Sequence, residues 1–198
     1  ARGAHNAVYS LADADAARGV VTHSSGNHAG ALARAAERRG IPCTVIMPAN
    51  ASAVKKAAVA SYGATIIECE PTLSAREAAA ARVLAATQGT LVHPYDDCRV
   101  VAGQGTAALE LLEAHPDLEL LLTPVGGGGL LSGIALAASG AHVTLAARTK
   151  DEIEAGAAAI EAAGGKAAAL VLDVTDLPAM RAKIASAAEP FDVLINNA

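Results

Sequence analysis

Aromatic side chains are nearly missing from this chain: its 198 residues include three Tyr, one Phe and no Trp. A core without rings has to be built from small aliphatic groups, and about a quarter of the residues are Ala. Such material favours close packing of helices on a sheet. Cysteine is scarce too. Cys43, Cys69 and Cys98 are odd in number and have no C-x-x-C spacing, which argues against a disulfide framework or zinc knuckle and reads as reduced, buried thiols. Basic charge is in deficit, with 15 Lys and Arg against 20 Asp and Glu and a net charge of −5. With no basic stripe and only scattered His, nucleic acid is not an expected partner. No apolar run approaches the ~18 residues needed to cross a bilayer, and the first residues lack the pattern of a signal peptide. The expectation is a soluble, cytoplasmic protein that engages no membrane.

What is present is ample for a core: 53% of the residues are hydrophobic and 18% charged, which excludes disorder. Period and punctuation divide the chain into short apolar runs and longer Ala-rich stretches. The strand candidates are Gly19–Thr22, Cys43–Met47, Thr65–Cys69, Thr90–His93, Leu118–Thr123, His142–Ala146, Ala168–Leu172 and Asp192–Ile195. Helix candidates between them include Ala29–Arg39, Ala51–Ser61, Ser74–Thr87, Gly103–Ala114, Lys150–Ala163 and Pro178–Ala188. Gly40, Gly63, Gly89 and Gly164 stand where left-handed helix stops belong. This alternation predicts an α/β fold, with parallel sheet covered by helices on both faces in a Rossmann-like, three-layer arrangement. We expect residues 1–99 to form one small α/β domain and 100–198 a second; one continuous doubly wound sheet is the alternative. Ligands of such sheets collect at the carboxyl ends of the strands.

Two loops in that position carry the chemistry. Thr22-His23-Ser24-Ser25-Gly26-Asn27-His28 follows a strand and opens a helix, placing hydroxyls and backbone N–H groups near a positive helix end. It reads either as an anion cradle or as a plain turn in which Ser and Asn cap the helix. Pro124-Val125 followed by Gly126, Gly127, Gly128 and Gly129 lets the backbone curl round a tetrahedral phosphate, the alternative being a structural turn. Lys55 and Lys56 read as surface lysines of a solvated helix.

With these loops, Arg2-Gly3-Ala4-His5-Asn6, His93-Pro94-Tyr95-Asp96-Asp97 and Gly103-Gln104-Gly105-Thr106-Ala107-Ala108-Leu109-Glu110 occur in an order that resembles the pyridoxal-phosphate enzymes of the serine racemase and threonine dehydratase family. The resemblance covers residues 1–138. It implies that Asn27 hydrogen-bonds the cofactor's ring hydroxyl, that Ser25 is the proton-transfer hydroxyl, and that Gly126–Gly129 hold the phosphate. It also places the lysine that carries the cofactor just ahead of Ala1, outside the sequence.

From Ser139 the sequence resembles a short-chain dehydrogenase/reductase, through Ser139-Gly140-Ala141-His142, Asp173-Val174-Thr175-Asp176 and Asn196-Asn197-Ala198. That resemblance implies a cofactor 2′-phosphate at Arg148, adenine beside Asp173 and Val174, and a nicotinamide cofactor beside Asn196. Its catalytic Ser and Tyr-x-x-x-Lys do not occur. Taken together, the two resemblances predict an engineered or recombined chimeric scaffold that is not an enzyme, requires no cofactor and retains phosphate binding at the tetraglycine loop, with Ser25 a catalytic relic. The alternative is a module that binds NADP(H) or non-covalent pyridoxal phosphate. Exposed edges at Ala1 and Ala198 predict a homodimer.

Overall fold

The computed structural model describes residues 1–118, 120–137, 142–147, 150–162, 166–173, 176–186 and 193–194. It divides into two compact units, Ala1–Gln104 and Gly105–Ala198. The first unit runs α1 (Arg2–Tyr9), α2 (Asp13–Ala17), β1 (Val20–His23), α3 (Asn27–Arg39), β2 (Cys43–Pro48), α4 (Ala53–Ser61), β3 (Thr65–Cys69), α5 (Leu73–Thr87) and β4 (Thr90–Leu91). Helix α6 (Cys98–Ala114) begins in it and continues into the second unit. The second unit holds β5 (Leu120–Pro124), α7 (Gly129–Ala137), β6 (His142–Ala147), α8 (Lys150–Ala162), β7 (Lys166–Val171), α9 (Leu177–Ala185) and β8 (Val193–Leu194). The parallel α/β class read from the alternation is the observed one.

Each unit carries a four-stranded parallel sheet, ordered β3-β2-β1-β4 in the first and β7-β6-β5-β8 in the second. The connectivity is the same in both. In each, the second strand lies on one side of the first and the fourth on the other, so the order reverses at β1 and at β5. β1 is buried along its whole length because both its faces are covered. Val20 packs with Ala29, Leu32 and Val92 on the α1/α3 face, while Val21 packs with Ala79 and Ala80 of α5 on the other. Successive strand residues point to opposite faces, so one strand feeds two cores. In the second unit Leu121 joins Ala108 and Ile134, and Leu122 joins Leu172 and Met180.

Small residues set how closely the elements approach. A Cβ on Gly103 of α6 would lie 2.6 Å from Asn6 Cβ and 2.7 Å from Gly3 Cα of α1. One on Gly3 would lie 2.5 Å from the Val100 carbonyl oxygen. The crossing is fastened by the Gly3 N–H donating to Gln104 Oε1 at 3.1 Å and by Asn6 Nδ2 donating to the Arg99 carbonyl at 2.8 Å.

The expected helix from Gly103 in fact starts five residues earlier, at Cys98. Asp97 supplies the reason: its Oδ1 accepts from the Arg99 N–H at 2.9 Å and from Arg99 Nε at 3.0 Å, and its Oδ2 from Arg99 Nη2 at 2.6 Å. A carboxylate at a helix start is stabilising, and Gly103 and Gly105 are interior helix glycines chosen for close approach. Left-handed stops occur at Gly40 (φ 69°) and Gly63 (φ 73°), as expected. After α5 the left-handed residue is Gln88 (φ 55°), not Gly89, which instead admits the Gly19 carbonyl oxygen 3.1 Å from where its Cβ would be. Gly164 lies outside the described residues. Among the thiols, Cys43 is buried, with burial pushing its pKa up to about 12, Cys69 is half-buried, and Cys98 is exposed, so the expectation of three buried thiols fails at Cys98. Lys56 Nζ donates to the Ala49 carbonyl at 2.8 Å and pairs with Glu68 at 2.6 Å.

Gly103→Ala is expected to destabilise the fold by about 1–3 kcal/mol through overpacking. Gly30→Ala, inside α3 with nothing within 4 Å of the new Cβ, should add roughly 0.5–1 kcal/mol. Urea unfolding of the two variants beside the parent reads both signs. At Asp97, burial pushes the carboxyl pKa up, but the Arg99 hydrogen bonds and nearby N–H groups outweigh it and hold it below the usual value. A lowered folded pKa gives stability that is present above the unfolded carboxylate pKa of about 3.9 and is lost as pH falls through the folded value. Asp97→Asn should therefore cost about 1–3 kcal/mol at pH 7, with the gap from the parent constant down to about pH 5 and closing below about pH 4.

Candidate functional site

The switch points at β1 and β5 are where a parallel sheet leaves a crevice at the strand ends. In the first unit the Ser24 N–H donates to the Ile46 carbonyl at 3.1 Å, extending the ladder one residue past β1. The Gly26 N–H then turns back to Ser24 Oγ at 3.2 Å. Gly26, extended at φ −114° and ψ −156°, is the residue before α3, and no side chain caps that helix. The capping alternative is thus not how this turn is built: Ser24 braces the loop, and Asn27 already lies within the first turn. The half-buried Ser25 and exposed Asn27 share this loop beside a helix start whose N–H groups are free of side-chain caps. Such a start favours an anion or a polar acceptor.

Beneath the loop lie polar atoms that have found no partner. Thr22 Oγ1, His23 Nδ1 and His28 Nε2 are buried without a hydrogen bond. The His23 ring is 5.0 Å from His93, edge to face, and His93 meets Tyr95 the same way at 4.6 Å. His93 Nδ1 accepts from the Asp96 N–H at 2.9 Å and the Tyr95 N–H at 3.4 Å. His-Pro-Tyr-Asp-Asp is therefore a self-bracing turn that walls the Ser24–His28 loop and caps α6. Burial lowers the His23 pKa, with His93 and Arg76 adding to it. Burial lowers that of His28 further, to about 4. Both rings are neutral at physiological pH. Sequence reading gave neither a role; the available signal was their position, one at the end of β1 and the other in the first turn of α3.

In the second unit Gly126 and Gly127 are exposed, Gly128 takes φ 89°, and α7 starts at Gly129. A Cβ on Gly126 or Gly128 would meet nothing within 4 Å, so open space borders the backbone on this loop. The Ser132 N–H donates to the Gly128 carbonyl at 2.8 Å, closing the first helical turn and leaving the earlier N–H groups at its mouth. Thr123, fully buried at the end of β5, has an unpartnered Oγ1. Asp173 stands just past β7, lining a cavity of about 280 Å³ with Leu172, Asp176, Ala179 and Lys183. The cap of α9 is Asp176, which accepts from the Ala179 N–H at 3.1 Å. Because β6 lies between β7 and β5, Asp173 is about two strand spacings, roughly 10 Å, from the tetraglycine strand. Arg148, Val174 and Asn196 lie outside the described residues. Among the described residues no His, Cys, Asp and Glu cluster suits a metal ion, and no helix is long and apolar enough to cross a membrane.

A strand, a glycine-rich turn and a helix start suit a phosphate-bearing cofactor, and comparison with known proteins points the same way. The family described as "Pyridoxal-phosphate dependent enzyme" matches residues 1–194. The beta-hydroxyaspartate dehydratase of Paracoccus denitrificans is 54% identical over 149 residues, 75% of this chain and 46% of the relative. The serine racemase of Arabidopsis thaliana is 52% identical over 137 residues, 69% of this chain and 41% of the relative. The structure of maize serine racemase superposes with a TM-score of 0.74 at 41% identity, covering 85% of this chain and 51% of that one. The chain thus spans about half the length of the relatives it matches.

These findings correct two expectations. The family match runs through Ser139 to residue 194, and none of the comparisons supports a reductase segment or a chimera. The reading as a non-enzyme is overturned, because the relatives are a dehydratase and racemases. That reading relied on a lysine absent ahead of Ala1, a place outside the sequence whose content carries no information about the protein. It relied also on a Tyr-x-x-x-Lys pair that only the reductase resemblance required. The chain belongs to the pyridoxal-phosphate dependent enzyme family.

Proposed function

We propose that this chain is the pyridoxal-phosphate-binding part of an enzyme that racemises or dehydrates a hydroxy amino acid. The observation that carries the reading is the tetraglycine loop. Its open space beside Gly126 and Gly128, the left-handed Gly128 and the α7 start fit a phosphate held by backbone N–H groups. The orphaned Thr123 hydroxyl beneath supplies a further donor. In the first unit, taken by itself, Asn27 offers an amide suited to a ring hydroxyl and Ser25 a hydroxyl suited to proton transfer, both at the uncapped start of α3. Bound pyridoxal phosphate supplies the electron sink that acidifies the Cα–H of an attached amino acid. A hydroxyl on the adjacent carbon is the leaving group that turns loss of that proton into dehydration. Return of the proton to the other face gives racemisation. The names of the relatives, a hydroxyaspartate dehydratase and serine racemases, support this substrate class.

The test is a thermal melt with a parallel fluorescence titration against pyridoxal phosphate, inorganic phosphate, NADPH and NADH. At 100 times its dissociation constant a ligand that binds only the folded state adds ~2.7 kcal/mol. A larger shift with pyridoxal phosphate than with phosphate alone is expected, and a shift with NADPH in its place would sink the reading in favour of the NADP(H) module. Gly128→Ala, forced into a left-handed conformation, should weaken pyridoxal phosphate and inorganic phosphate alike by about tenfold. Asn27→Ala should weaken only the former.

A further inference from the structure

The end of β1 is fastened unevenly. On the β2 side the ladder continues past the strand, the Ser24 N–H donating to the Ile46 carbonyl at 3.1 Å. On the β4 side Val20 pairs with Thr90 and Val21 with Leu91, and among the described residues the last backbone tie is the Val92 N–H donating to the Val21 carbonyl at 2.9 Å. Beyond it the contact is made by rings. His23, which shares a face of β1 with Val21, is 4% exposed, and its Nδ1 has no hydrogen-bond partner to anchor it. Its ring meets His93 edge to face at 5.0 Å, and His93 meets Tyr95 the same way at 4.6 Å.

His93 is in turn seated by its own backbone. Its Nδ1 accepts from the Asp96 N–H at 2.9 Å and the Tyr95 N–H at 3.4 Å, and Pro94 between them has a fixed φ and no N–H to satisfy. A nitrogen that accepts from two N–H groups carries no proton, which puts the ring proton on Nε2. The far end of the turn is fastened independently. Asp97 Oδ2 accepts from Arg99 Nη2 at 2.6 Å, and the Arg99 carbonyl accepts from Asn6 Nδ2 of α1 at 2.8 Å.

We propose that His93 is a positioning residue, a buttress whose Nδ1 folds the turn after β4 and whose ring holds His23 across the order reversal, so that Ser25 and Asn27 stand where a ligand meets them. The proposal rests on the reading of Ser24–Asn27 as a ligand loop. The two duties of the imidazole are separable. Asn keeps an acceptor for the N–H groups of the turn, as in an Asx-turn, and lacks the ring. Phe keeps an edge-to-face partner for His23 and lacks the acceptor; the Asp97–Arg99–Asn6 fastening still holds the turn's far end in place.

The experiment is amide hydrogen exchange on the parent, His93→Asn, His93→Phe and His93→Ala. Ser24 and Gly26 report on the loop and Tyr95 and Asp96 on the turn, with the α3 interior, Leu32–Ala36, as reference. His93→Asn should exchange the loop about three- to tenfold faster, as loss of a ring pair implies, and leave the turn within about twofold of the parent. His93→Phe should loosen the turn by about the same factor and spare the loop. Ala should loosen both over a protected reference. An unchanged loop in the Asn variant, or loop and turn loosening together in both the Asn and Phe variants, overturns the proposal. So does nitrogen NMR of the parent that finds the His93 proton on Nδ1, a result that needs no variant to fold. Pyridoxal phosphate affinity should follow the loop, falling in the Asn variant and staying near the parent's in the Phe variant; equal loss in both overturns the positioning role. A parent that binds no pyridoxal phosphate while the crossed exchange pattern holds removes the proposed function and leaves the buttress standing.

Discussion

A strand buried on both faces has to leave its sheet somewhere, and in this chain the exit determines where chemistry sits. β1 and β5 are each flanked by a strand on either side and helices above and below, so their side chains are committed to packing. At the carboxyl end the backbone leaves the ladder and enters a helix start that no side chain caps in the first unit. Neighbouring strands diverge there because the following connections cross to opposite sides of the sheet. The chain must turn at once into a helix, and a bulky residue would close the space just opened. Ser24, Ser25 and Gly26 answer this in one unit and four consecutive glycines in the other. A helix start with uncapped N–H groups beside open space is a place that favours negative charge.

The scarcity of aromatic residues belongs to the same constraint. Helices that cover a sheet this closely are separated by methyl groups and by bare Cα atoms. The α1–α6 crossing admits no Cβ at Gly3 or Gly103, and within the second unit a Cβ on Gly105 would lie 2.6 Å from the Gly133 carbonyl oxygen. Close approach brings backbone polar groups within reach of side chains on the neighbouring helix, and Gln104 and Asn6 use this to hold α1. Packing and hydrogen bonding thus reinforce each other: the glycines permit the distance and the amides exploit it. Arg39 does similar work at the end of α3, where it donates to the Leu11 carbonyl at 2.9 Å and pairs with Asp13 at 2.9 Å.

Much of this was legible in the sequence. Each of the eight strand candidates contains a strand among the described residues, two of them only two residues long, because short β-branched and Leu-rich runs have few other uses. What the sequence concealed was tertiary. Gly103 and Gly105 look like helix breakers until the partner that needs the space is known, so the α6 start was placed too late. Gly89 looks like a helix stop, but Gln88 takes the left-handed conformation and Gly89 makes room for Gly19. Both candidate anion loops were read from local order alone. The pairing of His23 with His93, seventy residues apart in sequence, has no local signature. Absences misled most. A residue looked for ahead of Ala1 was counted as lost, and a glycine-rich helix that suits two kinds of nucleotide or phosphate fold was taken as a junction between them.

The motifs that make the family recognisable divide unequally between chemistry and support. Arg-Gly-Ala-His-Asn places Gly3 and Asn6 at the α1–α6 crossing, and Gly-Gln-Gly supplies the opposite side of that contact. His-Pro-Tyr-Asp-Asp braces its own turn, meets His23 edge to face and starts α6. Only Ser-Ser-Gly-Asn and the tetraglycine run face open space. A position that packs against backbone on several sides accepts one residue, whereas a position facing a ligand is free to vary with that ligand. In the first unit the half-buried Ser25 and the exposed Asn27 are the polar side chains that the loop presents beside the uncapped start of α3.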